Sequence, residues 1–398
     1  MKNIFAVFGI LVLLLLSACS YAGDSKQSLD ANKAQKPGAL TISDLATSKL
    51  KNLTLEEKVA QLFIVVPEHL VEGQGNITAA GPATKAAFDK RPIGGIIYMG
   101  NNIVSPDQTK SMLKNMQDFS YERIALPPFL CIDEEGGVVA RVANNANFNV
   151  KHFERMSAIG ARKSYEEAII VGTTIGAYLS SLGFNVDFAP VADVLTNPQN
   201  TVVKGRAFGN EPETVRTMAA GIAKGLRSAG VLSSYKHFPG HGDTAADTHE
   251  GYAFTNKTKA DLMNCELVPF IDAIKNNEPF IMVGHISFPN IIGDNTPASL
   301  SKVIITDLLR NELGYKGIII TDALNMGAIA NQYSSTQACI KAFDAGVDVL
   351  LMPNNFNEAY LGMLNAVKEG RISEQRLNES VLRILLVKME LAKKQGKI

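Results

Sequence analysis

The chain is 398 residues long, enough for one large domain or two average ones. Lys plus Arg and Asp plus Glu stand at 39 each, so there is no basic surplus of the kind that marks a nucleic-acid partner. The 46% apolar content is that of a globular protein with a large core, which excludes a disordered or fibrous chain.

In chain order, the first element is a leader. Lys2 precedes the apolar run IFAVFGILVLLLL, shorter than the ~20 residues of a membrane-spanning helix and followed by small residues. The run closes on Leu16-Ser17-Ala18-Cys19, which resembles a bacterial lipoprotein box with Cys19 as the lipidated residue. Residues 1–18 read as the signal peptide. Residues 19–39 are small and polar without apolar periodicity, and read as a flexible tether. The folded domain is expected over residues 40–398. Of the remaining cysteines, Cys131, Cys265 and Cys339, none shows CxxC spacing, and no disulfide framework or zinc ribbon is read.

Within the folded part, short apolar runs alternate with stretches of helical spacing. The runs are 62–66, 94–99, 128–133, 185–194, 231–238, 280–286, 317–324 and 347–352. Continuous apolar strands between helices predict a parallel sheet covered by helices, and eight such units predict a (β/α)8 barrel of the TIM type. An open doubly wound sheet is the alternative, but no GxGxxG follows the first run. In such a barrel the chemistry sits at the carboxyl ends of the strands. There the sequence places Asp133-Glu134-Glu135, Asp187, Asp193, Lys236-His237, His285 and Asp322.

Three of the six histidines fall in one stretch, KHFPGHGDTAADTHE (236–250). His237 and His241 are four apart, a metal-binding spacing on a helix, but Pro239, Gly240 and Gly242 prevent a regular helix and leave only an irregular metal loop open. No GxSxG elbow and no Walker loop are present. Glycosyl transfer fits better, because it needs a carboxylate on one face of a sugar and a proton donor on the other. Asp322 at a strand end can be that carboxylate, or a cap for the next helix. Asp247 and His249 are close enough for the carboxylate to fix the imidazole and raise its pKa, or to be a solvated loop contact.

Taken together, KHFPGHGDTAADTH, IDEEGG, GRAFG and TDALNM resemble the β-N-acetylhexosaminidases of glycoside hydrolase family 3, over about Thr54 to Lys388. The resemblance implies a retaining, two-step mechanism that removes terminal β-linked N-acetylglucosamine from peptidoglycan fragments, notably GlcNAc-anhydro-MurNAc muropeptides. It implies Asp322 as nucleophile, His249 as acid/base and Asp247 as the group that orients His249. It further implies that Lys236, His237, Asp133, Arg141 and Arg206 bind the sugar. His241 and Asp243 are expected to shape the loop, and His285 to be a satisfied core histidine.

Many family members carry a second α/β domain that delivers a glutamate acid/base; none is expected after this barrel. No metal or organic cofactor is expected. The implied partners are GlcNAc-containing saccharides or muropeptides and a membrane reached through the lipid on Cys19, with the protein a monomer in the cell envelope. Two rival functions are a phosphorylase, since a histidine acid/base does not repel phosphate, and a non-catalytic sugar-binding lipoprotein.

Overall fold

A computed structural model of the chain describes residues 40–71, 75–245, 248 and 251–398. Eight parallel strands form the centre: β1 (Phe63–Val65), β2 (Gly95–Ile97), β3 (Phe129–Ile132), β4 (Val186–Asp187), β5 (Leu232–Phe238), β6 (Phe280–Val283), β7 (Ile318–Thr321) and β8 (Leu350–Leu351). Each pairs with its sequence neighbour from β1 to β7, and β1 pairs with β8. A parallel bridge, Ile320↔Val349, joins β7 to β8 and completes the ring. The expected (β/α)8 barrel is thus the observed fold, within one compact unit, Thr41–Ile398. The leader, the tether and Cys19 lie outside the described residues.

The outer layer comprises α1 (Ile42–Asn52) and α2 (Leu55–Gln61) before β1, then one principal helix after each strand. These are α3 (Pro82–Lys90), α4 (Pro106–Ile124), α5 (Tyr165–Leu182), α6 (Pro212–Ser228), α7 (Val268–Lys275), α8 (Val303–Glu312), α9 (Ser335–Ala345) and α10 (Phe356–Lys368), with α11 (Glu374–Lys394) last. Their starts are written locally. Ser105 and Ser334 each cap the third helical amide and are capped in return by Gln108 and Gln337, and Pro106 occupies a first-turn position where no N–H is needed. Helix α8 is wound as a π-helix, a departure from its ordinary helical spacing.

The barrel interior is packed rather than open. The rings of Phe129 and Phe280, first residues of β3 and β6, meet edge to face at 5.2 Å across the floor. The Lys388 amine of α11 lies 5.0 Å from the Phe129 ring and donates to Gln61 at 2.7 Å, and burial pushes its pKa down to about 7. With the floor filled, the barrel interior is left to open toward the opposite mouth.

One predicted strand is much shorter than expected. The run 185–194 is regular only over Val186–Asp187, because Pro190 has no N–H for a ladder. The chain continues irregularly and touches β5 again through Val191↔Lys236. This detour carries Asp193 to the mouth.

Candidate active site

At the carboxyl ends of the strands lies a cavity of about 320 Å³. That is at the small end of ligand-sized cavities, about 300–1,000 Å³, and suits one sugar ring rather than a chain. Asp133, Arg141, Arg206, Lys236, His237 and Asp322 all line it. Six positions far apart in the sequence therefore converge, and each was expected to face a sugar. Asp247 and His249 lie outside the described residues; Thr248 between them lines the cavity.

Asp133 and Glu135 project to the same side of an extended DEE segment, as alternate residues must. Lys236 Nζ donates to Asp133 Oδ1 and reaches Glu135 Oε1, both at 2.7 Å. Arg206 grips Glu135 in a fork, Nε to Oε2 at 2.8 Å and Nη2 to Oε1 at 2.6 Å. Burial raises the pKa of Glu135, but Arg206 and Lys236 outweigh it and hold the carboxyl well below the usual range. The sequence placed Glu135 at the mouth but gave it no role. Its neighbour Glu134 turns the other way, into contact with the Val142 and Ala143 amides and the Tyr178 hydroxyl. The glycines that follow are needed for the turn: Gly137 has φ 59°, and a Cβ on it would stand 2.6 Å from the Glu154 carbonyl oxygen.

Glu135 thus sets the positions of two cationic groups that face the ligand. Glu135→Gln removes the charge at nearly constant shape and leaves Lys236 and Arg206 undercompensated. It is expected to lower kcat/KM about a hundredfold, mainly through KM, since breaking a buried pair costs about 3–5 kcal/mol and part of this is absorbed by relaxation. Steady-state kinetics that show a loss in kcat alone would contradict this placement.

Asp193 organises the histidine segment. It is fully buried and accepts the His237 amide at 3.2 Å, the His237 Nδ1–H at 2.7 Å and the His241 amide at 2.7 Å. Holding Nδ1 in this way fixes the imidazole and leaves Nε2 for the cavity. Burial opposes ionisation of Asp193, and His237 outweighs it, so its carboxyl is held low. His241 lies beside His237, ring centroids 5.7 Å apart, with its nitrogens directed at Thr244 (2.9 Å) and Thr248 (3.5 Å). Burial pushes its pKa down to about 4, so it packs as a neutral ring. The backbone folds tightly there: a Cβ on Gly242 would fall 1.8 Å from the Val194 carbonyl oxygen.

Asp322 follows the last residue of β7, and its carboxylate Oδ1 accepts the Ala323 amide at 2.7 Å. Among the described residues no hydrogen bond reaches Oδ2, which leaves that oxygen for a reacting atom. The next helical turn starts at Gly327, so Asp322 is not its cap. Burial raises the Asp322 pKa, but His237, His285, the Ala323 amide and Lys236 together hold it below the usual carboxylate value. An ionised carboxylate with one oxygen free, in a cavity, is the electronic state a nucleophile requires.

His285 is buried and bonded to Ser299 Oγ (2.7 Å) and the Ala323 carbonyl (2.9 Å), a core histidine beneath the site as expected. Asp243 is a loop contact, accepting Thr196 Oγ1 at 3.2 Å and facing Lys257 at 3.7 Å. Asp187 stays in the interior below Glu134, whose amide it accepts at 2.9 Å, and does not line the cavity. Arg141 has a buried Nε with no partner among the described residues, a donor left for a ligand. Met282, Met326 and Met352 supply an apolar side to the cavity that no sequence motif announced.

Residues 54–387 match the glycosyl hydrolase family 3 N terminal domain. The chain belongs to glycosyl hydrolase family 3. Beta-hexosaminidase A of Pseudoalteromonas piscicida is 34% identical to it over 336 residues, which cover 79% of this chain and 56% of that protein. Beta-hexosaminidase LpqI of Mycobacterium tuberculosis is 33% identical over 271 residues, 66% of this chain and 68% of that one. The solved family 3 beta-N-acetylglucosaminidase of Paenibacillus sp. str. FPU-7 superposes with a TM-score of 0.79 at 34% identity, over 87% of this chain and 63% of that one. The chain therefore spans between 56% and 68% of the length of these relatives.

Proposed function

We propose that this family 3 chain is an exo-acting, retaining β-N-acetylglucosaminidase that removes terminal GlcNAc from peptidoglycan fragments such as GlcNAc-anhydro-MurNAc muropeptides. The observation that carries the reading is Asp322, held ionised in a cavity sized for one sugar, with no hydrogen bond to Oδ2 among the described residues. The relatives named beta-hexosaminidase support the same substrate class. A sugar-binding protein without catalysis has no use for such a carboxylate.

In the first step Asp322 attacks the anomeric carbon from the face opposite the leaving group, and the leaving oxygen takes a proton from His249 as the glycosidic bond breaks. Asp247 is assigned to orient His249 and hold its charge. In the second step His249 takes a proton from water, which displaces Asp322 and returns the sugar with its β configuration. Asp133, Lys236, Arg206, Arg141 and His237 hold the ring hydroxyls while Glu135 and Asp193 hold those residues. No step calls for a metal or an organic cofactor.

The lipobox motif supports anchoring to a bacterial membrane through Cys19, and with it a substrate in the cell envelope. If Cys19→Ser protein stays in the membrane fraction, the anchor is elsewhere. The decisive test of function is incubation with purified muropeptides and mass spectrometry of the products. Loss of one GlcNAc supports the reading. No cleavage, or GlcNAc-1-phosphate formed only when phosphate is added, rejects it.

A further inference from the structure

A second concavity lies at the same mouth and shares no lining residue with the first. Its volume is about 590 Å³. It is lined by the segments that leave the ends of β4 and β5. Asn197 follows Asp193, and Asp243 follows His241. Ala253–Phe254 pairs in parallel with Ile286–Ser287, just beyond His285. Ala245 lines this groove and Thr248 lines the sugar cavity. Three residues of chain span at most about 11 Å, so the two sites are close neighbours.

The groove displays the rings of Tyr252 and Phe254, stacked on each other at 5.6 Å and 21°. Tyr252 is 37% exposed and Phe254 50%; among the described residues they are the aromatic rings that stand with the exposed large apolar side chains, the others there being aliphatic. Polar groups surround the pair: Asn197, Asp243, Asn256 and Lys257. Among the described residues the Tyr252 hydroxyl and the Asn256 side-chain amide make no hydrogen bond. Flat aromatic faces beside unspent donors and acceptors suit a pyranose, which has a C–H face and a rim of hydroxyls. A protein interface is a poorer fit, since a stable one buries about 800 Å² per partner with a continuous apolar centre, and two rings do not supply that.

We infer that this groove binds the saccharide on the leaving side of the cut bond, with Tyr252 and Phe254 as the platform for its sugar rings. The inference rests on the glycosidase reading. The terminal sugar fills the small cavity, and the rest of the substrate must leave across the mouth. The groove receives it and so discriminates long substrates from short ones.

The test compares two substrates of the full chain, N,N′,N″-triacetylchitotriose and methyl β-N-acetylglucosaminide; the methyl group is too small to reach the rings. Replacing both rings (Tyr252→Ala with Phe254→Ala) is expected to lower the ratio of kcat/KM for the trisaccharide over the methyl glycoside about tenfold, the loss of roughly 1.4 kcal/mol of stacking. Phe254→Tyr, which keeps a ring, retains the ratio. Phe254→Ala alone lowers it by less, and serves as the deciding variant if the double one does not fold. An unchanged ratio, or equal losses on both substrates, overturns the inference while leaving the glycosidase reading intact. If the unaltered protein releases GlcNAc from neither substrate, the functional reading fails and the groove assignment with it.

Discussion

Asp322→Ala is expected to lower the rate of GlcNAc release from its nitrophenyl β-glycoside by about 10⁴-fold or more, the scale on which loss of a covalent nucleophile is felt. KM should change far less, because Lys236, Arg206, Arg141 and His237 still hold the ring. The same variant offers a positive signal. Azide is small enough to enter the space left by the carboxylate and can attack the anomeric carbon from that face. The product is then the α-glycosyl azide, identifiable by NMR, and its formation restores turnover. The acetamido oxygen of the substrate is a competing internal nucleophile in this sugar class. If it served here, azide would neither rescue the variant nor yield the α product. Near-normal turnover by Asp322→Ala would remove Asp322 from the mechanism altogether.

Asp348→Ala is expected to destabilise the fold by about 3–5 kcal/mol, measured by urea unfolding with linear extrapolation. Asp348 is fully buried below the start of β8. One oxygen accepts the Ile319 amide of β7 at 3.0 Å and Arg310 of α8 at 2.7 Å. The other accepts Ser380 at 2.6 Å and Arg383 at 3.0 Å, both on α11, with Arg376 at 3.9 Å. Removing the carboxylate leaves three largely covered guanidinium groups without their common counter-charge. It does so where the ring has its thinnest pairing, the single bridge between β7 and β8. Asp348→Asn keeps some of the hydrogen bonds and should fall between the two. A loss under about 1 kcal/mol for the Ala variant would mean that water replaces the carboxylate easily. The cavity lies at the opposite end of the strands, so a folded Asp348→Asn protein should keep its KM.

The two aspartates were not equally visible in the sequence. Asp322 closes an apolar run and stands in a motif, so its place at a strand end could be read directly. Asp348 sits in VDVLLM among apolar residues, and nothing within several positions indicates its arginine partners, which lie 28 to 38 residues away on either side. The same contrast separates Lys236 from Glu135. Lys236 ends a strand inside a long motif. Glu135 is one of two adjacent glutamates, and which of them faces the cavity depends on strand alternation and on Arg206, 71 residues on.

By itself the sequence determined the number and order of the strands, because apolar runs and helical spacing are local properties of the chain. The β7 carboxylate at the mouth and the Lys236-His237 pair near the end of β5 were likewise legible, because strand ends place their residues by rule. Only the tertiary structure decided which charges are paired, that His241 is a neutral packing ring, that β4 is cut short by Pro190, and that two aromatic rings stand exposed beside the site. Those outcomes depend on burial and on partners far along the chain, and neither quantity exists until the barrel has closed.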